Sequence, residues 1–225
     1  MPILSSKLLA PRPAQPLCAL FLFFALACGG GHHEPEPATP KEDPIIPLVT
    51  TGLAGQPISV VPLTIMIADD SLMETAPFND RVKSLLWADS IIGNVLLARA
   101  PEPKWILPPE LRRMAHKAVG LAPDPDHMGQ GVMRSPDLKD VPDPLRSSLR
   151  TLVALSGGRH AFIPAAVGFS PDSTGEYRVD VSLVLADVRI GNVLWRTHTH
   201  ALGTTPARAL INAMEAVFPL DIGIR

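Results

Sequence analysis

The sequence predicts an α+β domain: a mixed sheet of about five strands with three to four helices packed on it, closed by a C-terminal β-hairpin followed by a helix. Three patterns carry this expectation. Between Tyr177 and Leu185 every second residue is apolar, and after a turn at Val188–Asn192 a second strand-like run returns from Val193 to Ala201. Apolar residues recur at helical spacing in residues 79–99, 144–156 and 205–218. Between these stretches lie short β-branched or apolar runs, Ile58 to Ala68 and Arg159 to Phe169, bounded by Gly, Pro and Asp.

Taken in order, residues 1–27 read as a lipoprotein signal peptide rather than as folded structure. Lys7 and Arg12 precede an apolar run, Leu17 to Ala27, that falls short of the roughly 20 residues needed to span a bilayer. Ala25-Leu26-Ala27-Cys28 then resembles a bacterial lipobox, with Ala25 where that motif usually has Leu, and Cys28 is the expected lipid acceptor. Gly29 stands where some inner-membrane lipoproteins carry Asp, which favours the outer membrane, facing the periplasm. Residues 28–57 are rich in Pro, Gly and charge up to Pro47 and are read as a tether.

The remainder, 58–225, is read as a single α+β domain. Ile58 to Ala68 is the first strand, with Pro62 at a bulge or an edge because it has no N–H to give a ladder. A helix follows with Asn79 as cap, burying Val82, Leu85, Leu86, Ile92, Val95 and Leu96, and Gly93 marks a close contact. Pro101 and Pro103 end it. Lys104 to Leu107 is a short strand, and Pro109 opens a second helix over Glu110–Ala118. Residues 121–144 form a long Pro-, Gly- and Asp-rich loop whose Met128, Val132 and Met133 are candidates to dock on the body. A third helix from about Pro144 to Ser156 stops at Gly157-Gly158, and the strand Arg159 to Phe169 leads through a turn into the hairpin. On the return strand Val193, Trp195, Thr197 and Thr199 share one face, and Leu194, Arg196, His198 and His200 the other. Thr205 caps the last helix and Pro206 starts it.

The hairpin line Leu183–Trp195, LVLADVRIGNVLW, with the apolar opening strand, the helix ending in Gly-Gly and the short Ala-rich final helix, resembles a group of bacterial envelope domains. These are the TolB amino-terminal domain, the curli-secretion lipoprotein and the penicillin-binding-protein activator lipoproteins. The tight matches are Asp187, Gly191 and Trp195 with their apolar neighbours, and Ile190 replaces the usual Thr. The resemblance implies a non-enzymatic envelope role in protein binding or assembly.

Composition removes several classes. Loss of residues 1–27 takes away Lys7 and Arg12 and no acid, so the formal net charge goes from −2 to −4, and no basic footprint for nucleic acid appears. The two cysteines, Cys18 and Cys28, both lie before the domain, which leaves it neither a disulfide nor a cysteine-based zinc site. There is no G-x-S-x-G elbow, and Gly157-Gly158-Arg159-His160 lacks the spacing and the Lys of a phosphate loop.

Four constellations remain as candidates. His198 and His200 sit two apart on one strand face, a spacing that can hold a metal, though a solvated polar face is the favoured reading. Asp124, Asp126 and His127 offer oxygen and imidazole ligands but sit in turn-forming sequence. Asp69, Asp70 and Ser71 end the first strand, where open sheets bind ligands, and are read as turn formers, as is Asp187. Trp87, Trp105 and Trp195 are read as core. The expectation is therefore a lipid-anchored envelope protein, not an enzyme, with no catalytic, cofactor or metal site. Its contact with a protein partner would run through an exposed edge strand or the 121–144 loop. The alternative is a small-molecule or carbohydrate-binding lipoprotein.

Overall fold

A computed structural model of the chain describes residues 44–219. The elements run β1 (Pro57–Val60), β2 (Met66–Ala68), α1 (Arg81–Arg99), β3 (Lys104–Ile106), α2 (Pro108–Lys117), α3 (Leu145–Leu155), β4 (His160–Pro171), β5 (Tyr177–Asp187), β6 (Asn192–Gly203) and α4 (Pro206–Val217). They form a six-stranded mixed sheet of order β3-β1-β4-β5-β6, with β2 paired to β4 beyond the end of β1. β1 lies parallel to β3 and β4, whereas β4, β5 and β6 form antiparallel ladders. Four helices and a hairpin-then-helix ending give the expected α+β class.

The centre of the sheet is β4. It is apolar almost throughout because it is covered on both faces and paired on both edges. One face carries α1 and α4 over Ile58, Val60, Phe162, Val181 and Leu183. Phe162, fully buried, meets Trp105 edge-on at 5.7 Å, stacks with Trp195 at 6.5 Å and touches Phe218 at 6.1 Å. The other face carries α2, α3 and the 121–144 segment over Val61, Ala161, Ile163, Val184 and Ala186.

The first strand is broken where a single strand was expected. β1 pairs with the first half of β4 and β2 with the second, while Pro62 and a register shift at Pro164/Ala166 face each other across the break. Neither proline can donate to a ladder, so side chains take over. Gln130 Nε2 donates to the Pro62 carbonyl, Asp89 Oδ1 accepts from Leu63 N at 2.8 Å, and Arg81 Nη2 donates to the Thr64 carbonyl at 2.9 Å. Three side chains from two elements, α1 and the turn at Gln130, thus satisfy the polar backbone of one notch.

Several expectations are corrected. Asp80, not Asn79, caps α1, accepting from Val82 N and Lys83 N at 3.0 and 3.1 Å. The inward stripe of α1 is Ser84, Ala88, Asp89, Ile92, Gly93, Val95 and Leu96. Val82 and Leu86 face outward, because the small residues let α1 approach closely and turn Asp89 toward the notch. Gly93 does mark a tight contact: a Cβ there would lie 3.3 Å from Leu107 Cδ2. A bulge between Leu185 and Ala186 puts Val193 on the face opposite Trp195 and leaves Leu194 as the extra, exposed residue. In the 121–144 loop Met128 and Met133 are buried as expected and Val132 is exposed, since Gly131 packs its backbone against Ile65.

Residues 44–56, read from sequence as the end of the tether, lie against the body. Leu48 is buried and its N–H donates to Val217 O at 3.1 Å, while Ile46 N donates to Thr197 Oγ1 at 3.0 Å.

Candidate functional site

The alternation of β5 and β6 dictates a face that the helices leave uncovered. Where α2 and α3 end, Arg178, Asp180 and Ser182 of β5 stand beside Arg196, His198 and His200 of β6. Opposite them runs a short 3-10 turn, Gln130–Arg134, held down by Met133. Between turn and strands lie two adjoining hollows of about 600 and 490 Å³ that share Arg134, Ser182 and His198. The result is a shallow groove along the β6 side of the sheet, with Ile46 at its rim.

Cross-strand register assembles the polar groups. Ser182 pairs with His198 and Asp180 with His200. His198 Nδ1 lies 3.2 Å from Ser182 Oγ, its Nε2 lies 3.5 Å from Asp180 Oδ1, and Arg178 donates to both Asp180 oxygens at 3.2 Å. Sequence reading missed this serine–histidine–aspartate set because the members are neighbours only across the hairpin. The signal was the polar side of the alternation in each strand. Ser182 sits on a strand paired on both edges, beside the register shift at Pro164/Ala166. Arg196 forms the inner wall. Its Nη2 donates to Leu138 O at 2.9 Å, its buried Nη1 has no partner among the described residues, and burial lowers its pKa.

The strand that carries these groups is an edge. Its start is covered: Val193 N donates to Lys139 O at 2.8 Å, and Val141 N to Gly191 O at 2.7 Å. From Trp195 to Ala201 no backbone group of β6 bonds a main-chain partner outside the hairpin among the described residues. Leu194 and Leu202, 49% and 41% exposed, flank that open stretch.

The other expected sites resolve into structure. His198 and His200 do share a face, but among the described residues no three His, Cys, Asp or Glu side chains converge on a metal position. In the DPDH stretch, Arg112 claims Asp126 through Nε and Nη2 at 3.0 and 2.7 Å, and Asp124 accepts from Asp126 N and meets His127 Nδ1 at 2.8 Å. The loop is thus stapled to α2. Asp69 accepts from the N–H and hydroxyl of Ser71, whose backbone bond lowers its pKa. Asp187 holds the turn by accepting from Arg189 N at 3.0 Å and pairing with Arg159. All three tryptophans pack on the core side, and Trp105 Nε1 donates to Ala100 O at 2.6 Å. The expected lipidation site, Cys28, lies outside the described residues.

No protein-family model matches the chain, and no curated protein matches its sequence. Among solved structures it is similar to the PelC dodecamer from Paraburkholderia phytofirmans, with 14% identity over 78% of this chain and 92% of that one, TM-score 0.39. It is similar to the LpoB C-terminal domain from Salmonella enterica, with 14% identity over 67% and 84% of the two chains, TM-score 0.36. It is also similar to Lipoprotein GNA1162 from Neisseria meningitidis, with 11% identity over 66% and 81%, TM-score 0.34. These are distant likenesses.

Proposed function

We propose that this chain is a non-enzymatic protein of the bacterial cell envelope, held by a lipid on Cys28, that binds or helps assemble another envelope protein. The anchor is placed in the outer membrane with the domain facing the periplasm. The observation that carries the binding reading is the run of β6 from Trp195 to Ala201, next to a polar groove: among the described residues its main chain has no partner outside the hairpin, and Ile46 meets only the side chains of Trp195 and Thr197. A free edge of this length is a template for a partner strand, with main-chain bonds supplying affinity and the flanking side chains supplying selection. Among the described residues β2 also has an unpaired edge, but at three residues it offers less ladder than the Trp195–Ala201 run of β6. The Pro-rich segment after Cys28 gives a tethered domain reach from the membrane surface.

The test is site-specific photocrosslinking in intact cells. A photoreactive residue at His200 or Leu202 is expected to trap one recurring envelope protein. The same residue at Val119, exposed near the end of α2, is expected to trap none. Equal labelling from all three positions, or none from the β6 pair, overturns the edge reading.

A further inference from the structure

At the end of the β4–β5 ladder away from the groove, a second cavity of about 480 Å³ opens between four pieces of chain. Pro57 begins β1, Arg159 and His160 begin β4, Arg150 projects from the last two turns of α3, and Arg189 comes from the β5–β6 turn. The rim includes the Gly157-Gly158-Arg159-His160 stretch set aside above as a phosphate loop. Its shape depends on Gly158: a Cβ there would stand 2.7 Å from the Pro57 carbonyl oxygen, so a larger residue would push the two walls apart.

The charge in this cavity is unbalanced. Arg159 pairs with Asp187, whose other oxygen accepts from Arg189 N and Ile190 N and so fixes the turn that presents Arg189. The side chains of Arg150 and Arg189 have no carboxylate partner among the described residues. Three guanidinium groups face one carboxylate and the C-terminal end of α3, which contributes about half a negative charge. The excess is about one and a half positive charges, close to the charge of a phosphate monoester at neutral pH. The buried wall adds a second observation. His160 is 7% exposed, and its Nδ1 is buried with no hydrogen-bond partner. Burial lowers the imidazole pKa, so this wall of the cavity favours the neutral ring and adds no charge of its own.

We infer that this cavity, lined by Arg150, Arg159, Arg189 and His160, is a binding site for a phosphoryl group borne by a small molecule or a lipid headgroup. Guanidinium forks match phosphate oxygens in pairs, and the volume leaves room for the group that carries the phosphate. This site is separate from the β6 edge and does not depend on it.

The experiment is calorimetric titration of the full chain in detergent with inorganic phosphate and glycerol 3-phosphate, and with acetate as a singly charged comparison. Vesicles of phosphatidylcholine with and without phosphatidic acid form the other arm. Wild type is expected to bind the phosphate probes at least tenfold more tightly than acetate. The double variant Arg150→Gln/Arg189→Gln is expected to lose at least tenfold in that affinity, and His160→Asn a smaller factor. Both arginines are exposed, so a matching unfolding transition in the double variant shows that the fold is intact. Binding of glycerol 3-phosphate supports a soluble monoester. Binding confined to phosphatidic acid vesicles supports a headgroup. Acetate binding as tight as phosphate, equal binding by wild type and the double variant, or no binding to any probe overturns the assignment.

Discussion

Arg112 on α2 and Asp89 on α1 meet at 2.7 Å, joining a helix of one layer to a helix of the other at the notch in the first strand. Asp89 spends its second oxygen on Leu63 N, and Arg112 also donates to Asp126 through Nε and Nη2. Burial dominates the carboxyl and pushes its pKa up to about 6, against the pull of Leu63 N–H and Arg112. A carboxyl whose folded pKa exceeds its unfolded value binds its proton more tightly in the native state. Stability from this group therefore falls as pH rises from about 4 to about 6, by roughly 3 kcal/mol. Denaturant unfolding across that window is expected to show the slope in wild type and a flatter profile in Asp89→Asn, which keeps an acceptor for Leu63. Asp89→Ala strands Leu63 N and is expected to cost about 2–4 kcal/mol at neutral pH.

Two glycines sort by what stands against them. A Cβ on Gly203 would lie 2.3 Å from Ala209 N, a backbone atom of α4, whereas on Gly131 it would meet only the Cδ1 end of Ile65. Gly203→Ala is expected to lower stability by about 1–3 kcal/mol or more, and Gly131→Ala by less because Ile65 can change rotamer. Paired urea titrations read the difference, and equal losses at the two sites would contradict it.

Thr197 secures the start of the folded chain. It is buried and accepts from Ile46 N, while Trp195 Nε1 donates to Ile46 O at 3.2 Å. Thr197→Val keeps the shape and removes one acceptor, at a cost of about 1 kcal/mol. Hydrogen exchange is expected to speed up at the Ile46 amide while the β4–β5 amides keep their protection.

The hairpin was legible because period-two alternation survives where a strand has one wet face, as from Arg178 to Leu183, before β5 becomes buried on both faces. The break between β1 and β2 was half legible. Pro62 announced a fault, but its partner Pro164 lies about a hundred residues on, and only the shared register reveals that the two faults coincide. The inner face of α1 was misread because Ser84, Ala88 and Asp89 carry it, and burial of Asp89 depends on Arg112 from another helix. The groove set of Ser182, His198 and Asp180 and the cavity at His160 share that obstacle. Each gathers residues from separate elements, and spacing along one segment encodes neither.

The proposed anchor makes a direct prediction. Metabolic labelling with tagged palmitate is expected to mark the wild-type chain, and Cys28→Ser is expected to abolish the label and release the protein from washed membranes. Retained label in Cys28→Ser would place the acyl chain elsewhere.

The position of β1 between β3 and β4 has a kinetic consequence. Ile58 pairs with His160, so the first strand leaves the ribosome about a hundred residues ahead of its central neighbour, and a parallel pairing of that reach closes slowly. Its edge toward β4 stays unpaired through that interval even after β3 has emerged, a hazard for aggregation and a benefit to any route that must thread the chain through a pore before it folds. If the chain is exported as proposed above, slow closure of this one strand would keep the polypeptide fit for that route.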